Sequence, residues 1–268
     1  MGASTGEMLV DSLDALDDIF HYSPLIVVTH CEDPQRVVDN EKLFYEKYGD
    51  DLCAEQHHLI RDVESCYLSS SLAVSLAKKY DADLHVFHLT TEKEMELFTE
   101  GDVIGKKITA EVCVHHMHFE ESSYAELGNQ IKCNPSIKYE SDRQALIQAL
   151  LNNKIDIIAT DHAPHTWDEK MQDYKDAPAG LPLVQHGLQI LMDFYHKDIL
   201  SLETIVEKTS HNVAKRFQVK DRGYIREGYY ADLAVLDIDK SYEVTKENIL
   251  YKCGWSPFLG KTLSLIHI

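Results

Sequence analysis

Ile155-Asp-Ile-Ile-Ala-Thr-Asp161-His162-Ala-Pro-His165 is the stretch on which the reading of this chain turns. Its first half is a short apolar run, of the length and composition that fill a strand buried in a parallel sheet. Its second half sets an aspartate, two histidines and a proline where the chain must leave that sheet. Carboxylate and imidazole groups at the carboxyl end of a buried strand need a reason to be there. In a β/α barrel that end is the rim where chemistry sits. The plainer reading of Asp161-His162 is an aspartate capping the next helix beside a surface histidine. The choice rests on whether other strands end in the same way.

They do. Leu25-Ile-Val-Val-Thr-His30-Cys-Glu32-Asp33 is an apolar strand with a polar end, broken by Pro34. Leu84-His-Val-Phe-His88-Leu-Thr-Thr91 is a second. A third, 108–114, runs into His115, His116 and His118. Strand alternation would put His116 and His118 on one face, and packing or solvent accounts for this trio without a ligand role. Helical stretches lie between, at 11–20, 41–48 and 65–80. Another opens at the capping box of Thr91 and Glu94, and one spans 143–151 behind Ser141 and Gln144. Helices at 184–196 and 202–208 follow. Strand then helix, four times over, is an α/β pattern with a parallel sheet. The glycine-rich phosphate loop of a doubly wound sheet is missing, which favours a barrel. From Gly223 the chain changes to a turn and an alternating strand, the start of a separate small β piece. Leu263-Ser-Leu-Ile-His-Ile268 does not continue that strand pattern.

The 268 residues are 44% hydrophobic and 26% charged, enough for one large core or a core with a small appendage. A net charge of -19 argues against nucleic acid or an anionic membrane as partner. None of the six cysteines forms a C-x-x-C pair, so they read as reduced thiols in a cytoplasmic protein. The sequence has no apolar run of membrane-spanning length, no signal-peptide pattern and no internal repeat.

Three strand ends therefore present His30, His88 and Asp161. Imidazole nitrogen and carboxylate oxygen are what zinc takes in catalytic sites. Parallel strands bring such groups to one rim however far apart they lie in sequence. Taken singly, a histidine such as His30 or His88 is more often a satisfied side chain than a ligand; the recurrence at successive strand ends favours a metal site.

Thr29-His-Cys-Glu-Asp33, His85-Val-Phe-His-Leu-Thr-Thr91, Lys132-Cys-Asn-Pro-Ser-Ile-Lys138 and Ala159-Thr-Asp-His-Ala-Pro-His165 resemble dihydroorotase, of the cyclic amidohydrolase superfamily. Pro178-Ala-Gly-Leu-Pro182 and Arg226-Glu-Gly-Tyr-Tyr-Ala-Asp232-Leu do so too, in order, over nearly all of the chain. The resemblance implies a partial TIM-type (β/α)8 barrel, roughly strands 5–8, over residues 1–222. Residues 223–268 would begin a small β-sandwich piece and tail. It implies that His30 and His88 bind one zinc of a pair. Asp161 would bind the other and act as general base, then acid. Asn134, His165 and the backbone at Gly180 would hold the substrate. The reaction implied is the reversible interconversion of N-carbamoyl-L-aspartate and L-dihydroorotate in pyrimidine synthesis, with arginine and asparagine gripping the substrate carboxylate. The family's early His-x-His zinc pair and bridging group have no counterpart, since Met1 opens at a turn, Met1-Gly-Ala-Ser-Thr-Gly6. The expectation is thus a C-terminal part of such an enzyme, with little activity alone and with open sheet edges that favour poor solubility or a homo-oligomer. Two other readings stay open. One is a hydantoinase or allantoinase relative; the other is a non-catalytic subunit supporting a partner such as aspartate transcarbamoylase.

Overall fold

The computed structural model describes Val10 and residues 12–267; the turn at 1–6 lies outside them. Four parallel strands, β1 (Val27–Thr29), β2 (Leu84–Val86), β3 (Ile108–Cys113) and β4 (Ile157–Ala159), form one sheet in the order β1-β2-β3-β4. Each strand pairs with the next in sequence. Sequential parallel neighbours with helical crossovers are the topology of a barrel wall. The half-barrel has two edges, β1 and β4, with one partner each among the described strands.

The core lies between sheet and helices. Leu84, Val86, Ala110, Val112, Ile155 and Ile158 meet Ala73, Val74 and Ala77 of the helix Val63–Tyr80, and Leu146 and Leu150 of the helix Glu140–Leu151. Strand β3 is buried almost throughout, as a central strand covered on both faces must be.

Several boundaries differ from the sequence pattern. The helix expected at 41–48 begins at Pro34 and runs to Tyr48. Asp33 caps it by accepting the Arg36 N–H (2.8 Å). Proline ends the strand and also opens the helix, because the first helical position has no use for an N–H. Thr91 and Glu94 do bond each other, but they hold only a 3-10 stretch, Lys93–Leu97. The helix Glu140–Leu151 starts ahead of the Ser141–Gln144 pair, with Asp142 Oδ2 accepting the Tyr139 N–H (3.3 Å). Strand β3 stops at Cys113, and Val114–His118 is a short helix, so the strand alternation expected for His116 and His118 does not hold. The local pattern of 263–268 breaks the β alternation. Instead Thr262–His267 is a strand, β6, antiparallel to β5 (Val235–Glu243). The pairing partner supplies what local sequence did not.

Candidate active site

His30 sits one residue beyond β1; His88 and Asp161 each sit two residues beyond β2 and β4. All three therefore leave the sheet at the same rim. His88 and Asp161 have φ of 36 and 45 degrees, in the left-handed region that non-glycine residues avoid. Such backbone persists only where the surroundings impose it, and it clusters at functional sites.

A cavity of about 360 Å³ opens at this rim. His30, His88, Asn134, Asp161, Ala163, His165, Pro178, Ala179 and Gly180 line it. Six residues singled out in the sequence thus meet around one volume. The expected arginine is absent from that lining; Arg61 lies behind it, bonded to Glu32 (2.6 Å).

His30 Nδ1 is 3.0 Å from His88 Nε2. Its other nitrogen, Nε2, is 2.9 Å from Glu32 Oε2. A carboxylate on one ring nitrogen fixes the tautomer and leaves the other free to accept or ligate. Burial works against the Glu32 charge, yet the Arg61 guanidinium and the His30 hydrogen bond hold its carboxyl well below the usual range. Burial, helped by the charge of His30, lowers His88 to about 3, so its imidazole is neutral near pH 7. Asp161 is open to solvent by area, but the rim closes round its carboxyl. That desolvation raises its pKa, against the opposing charge of His30.

The paired imidazoles of His30 and His88 fit a metal ion, with the Asp161 carboxylate further off at the same rim. Neutral imidazoles and a carboxylate are zinc ligands. Two nitrogens on one tetrahedral zinc stand about 3.4 Å apart, close to the 3.0 Å between these rings. The buried atoms His88 Nδ1 and Asn134 Oδ1 also lack hydrogen-bond partners.

Gly180 shapes the far wall. Its φ is 139 degrees, and its N–H donates to Lys132 O (2.8 Å). A Cβ there would lie 2.6 Å from Ala163 Cβ and 3.0 Å from His165 Cδ2. His165 Nε2 is bonded to Ala179 O (3.0 Å) and its carbonyl accepts Trp255 Nε1–H (2.7 Å). Gly180→Ala is therefore expected to push His165 out of place and to lower stability by about 1–3 kcal/mol. Chemical denaturation checks this; an unchanged midpoint would contradict the close packing.

Sequence reasoning gave the histidines after β3 no role. Cys113, His115 and His116 are buried, and one donor atom from each lies within 4.8 Å of the others. His30, His88 and Asp161 do not gather that tightly. The spacing Cys-x-His-His was a signal in plain view. A strand reading of this stretch hides it, because alternation would set His116 on the face opposite Cys113 and His115.

The amidohydrolase family matches residues 73–253. A dihydroorotase of Carboxydothermus hydrogenoformans is 33% identical over 249 residues, covering 90% of this chain and 55% of the relative. A dihydroorotase of Halobacterium salinarum is 30% identical over 259 residues, covering 96% and 58%. The chain spans a little over half the length of these curated relatives. Among solved structures, L-hydantoinase from Arthrobacter aurescens superposes with a TM-score of 0.86 at 23% identity, over 98% of this chain and 60% of that one. Dihydropyrimidinase from Brevibacillus agri gives 0.85 at 19%, over 97% and 59%. The half-barrel with its polar rim is thus the wall of a known hydrolase fold, and the chain belongs to the amidohydrolase family.

Proposed function

We propose that this chain supplies the C-terminal wall of a zinc-dependent cyclic amidohydrolase that interconverts N-carbamoyl-L-aspartate and L-dihydroorotate. The observation that carries the proposal is the meeting of His30, His88, Asn134, Asp161, His165 and Gly180 around one cavity sized for a small ring. Relatives named dihydroorotase at 30–34% identity favour this substrate over hydantoins.

His30 and His88 would hold one zinc of a pair and Asp161 the other. When bound, zinc polarises an amide carbonyl and makes water acidic enough to act as a nucleophile near neutral pH. The other tasks fall to the chain's own groups. Asp161, whose carboxyl is raised by burial, takes the attacking water's proton and returns it to the leaving ring nitrogen. The unpartnered Asn134 Oδ1 is free to accept from a ring N–H. With no arginine lining the cavity among the described residues, the Asn134 amide N–H₂ binds the substrate carboxylate, and the His165 ring, its Nε2–H held by the Ala179 carbonyl, packs against the substrate ring. The wall at Gly180 and Pro178 closes the side of the ring.

A substrate panel tests the assignment. Dihydroorotate, hydantoin and dihydrouracil are offered with Zn²⁺ to the chain, alone and joined to the complementary segment of a curated relative. Ring opening of dihydroorotate at least 100-fold faster than of the other two is expected from the joined form. Preference for hydantoin would support the hydantoinase reading. Zinc-free association with a transcarbamoylase would support the scaffold reading. We also propose cytoplasmic residence and self-association through the β1 and β4 edges. Light scattering is expected to give a mass above 30.6 kDa that falls on dilution. A mass fixed at the monomer value would refute the association.

A further inference from the structure

We propose a second metal site, separate from the cavity above, in which Cys113 Sγ and one ring nitrogen each of His115 and His116 hold a thiophilic ion such as zinc. The three residues are 0%, 1% and 3% exposed, and their donor atoms lie within 4.8 Å of one another. The chain's turn out of β3 places them: Cys113 is the last strand residue, and the helix Val114–His118 starts at once. The two imidazoles face each other with ring centres 4.0 Å apart.

Hydrogen bonding points to a ligand. Neither ring nitrogen of His115 has a partner, although the residue is buried. Buried polar groups are nearly always satisfied, so a fully orphaned imidazole needs an explanation. In His116, Nε2 is bonded to the Pro135 carbonyl (3.0 Å) while Nδ1 has no partner. This is the outer-shell arrangement of metal-bound histidine: one nitrogen donates to a carbonyl and the other keeps a free lone pair. A thiolate with two imidazoles is a soft donor set that favours zinc or copper over magnesium or calcium. On binding, the Cys113 thiol releases its proton to solvent and both imidazoles stay neutral. Cys133 Sγ stands just outside the set, 3.8 Å from His116 Nε2, and bonds back to Pro135 O (3.3 Å).

The site's role is structural. Cys113 pairs in register with Ala159, two residues before Asp161. An ion here would pin the end of β3 beside the rim that carries the proposed catalytic aspartate.

Cobalt substitution tests this and separates the two sites. Titrated anaerobically with Co²⁺, the full chain is expected to develop a thiolate-to-cobalt charge-transfer band. The site of His30, His88 and Asp161 has no sulfur and cannot produce one. The band is expected to persist in His88→Ala and in Cys133→Ser, and to vanish in Cys113→Ser. X-ray absorption at the cobalt edge of the His88→Ala chain should show one sulfur ligand, and it needs no change at Cys113. No band in the folded chain, a band surviving Cys113→Ser, loss of the band in Cys133→Ser, or a shell of nitrogen and oxygen alone would each overturn the proposal. Failure of the substrate panel would leave this site untouched.

Discussion

Acidification from pH 7 to pH 5 is expected to unfold this chain. His57, His88, His115, His116 and His186 are among the histidines at most 5% exposed. Burial lowers the pKa of each: His88 and His115 to about 3, His186 to about 4, and His57 and His116 well below the ordinary value. In the unfolded chain each would titrate near pH 6.5. Between those values the unfolded state binds more protons than the folded one, so stability rises with pH and is lost as pH falls. At pH 5 each uncharged buried imidazole costs about 2 kcal/mol relative to pH 7. Five together approach roughly 10 kcal/mol, against the roughly 5–15 kcal/mol that holds an ordinary domain. The carboxyls of Glu94, Asp142, Asp156, Asp161 and Asp193 work the other way, because burial raises each. Their ordinary values lie near 4, so only the part of each rise above pH 5 counts in this window. Circular dichroism across this range should show loss of fold between pH 6.5 and 5. A chain as stable at pH 5 as at pH 7 would mean that these rings are charged or hydrated in the fold.

The sequence was most legible where a rule of topology applies. Parallel strands deliver their ends to one rim, so His30, His88 and Asp161 could be grouped although the first and last are separated by most of the barrel wall. Asn134, His165 and Gly180 were reached through resemblance; no local pattern marks Asn134 as a wall of the same cavity. Strand length was misread because the apolar run continues past Val86 through Phe87. The backbone turns out of the sheet to seat His88 at positive φ, and hydrophobicity does not encode that turn. The helix Val114–His118 was missed because five residues are too few to display a 3.6-residue period. The ion pair of Glu32 with Arg61 is closed by tertiary packing across 29 residues, and only coordinates reveal it.

Asp161→Asn should weaken zinc binding at least about 100-fold, since losing even an outer-shell partner costs 10–100-fold. It should do so without lowering the thermal midpoint. The two halves of this expectation come from different observations. Zinc loses an anionic oxygen donor in a cavity whose other proposed ligands are the imidazoles of His30 and His88. The fold loses nothing it uses. Asp161 stands at φ 45 degrees, a region that asparagine tolerates as well as aspartate. Its carboxyl is raised by burial, so the folded state disfavours the charge it carries at neutral pH. For an acid with a raised pKa, stability falls as pH climbs through the window between the unfolded and folded values, and removing the charge removes that loss. A side chain kept for packing behaves otherwise: its replacement lowers the midpoint and leaves metal affinity alone. Isothermal titration with Zn²⁺ and differential scanning calorimetry of the same two proteins separate these outcomes. A midpoint several degrees lower with zinc affinity intact would make Asp161 a helix-capping residue, the plain alternative that its sequence context also allowed.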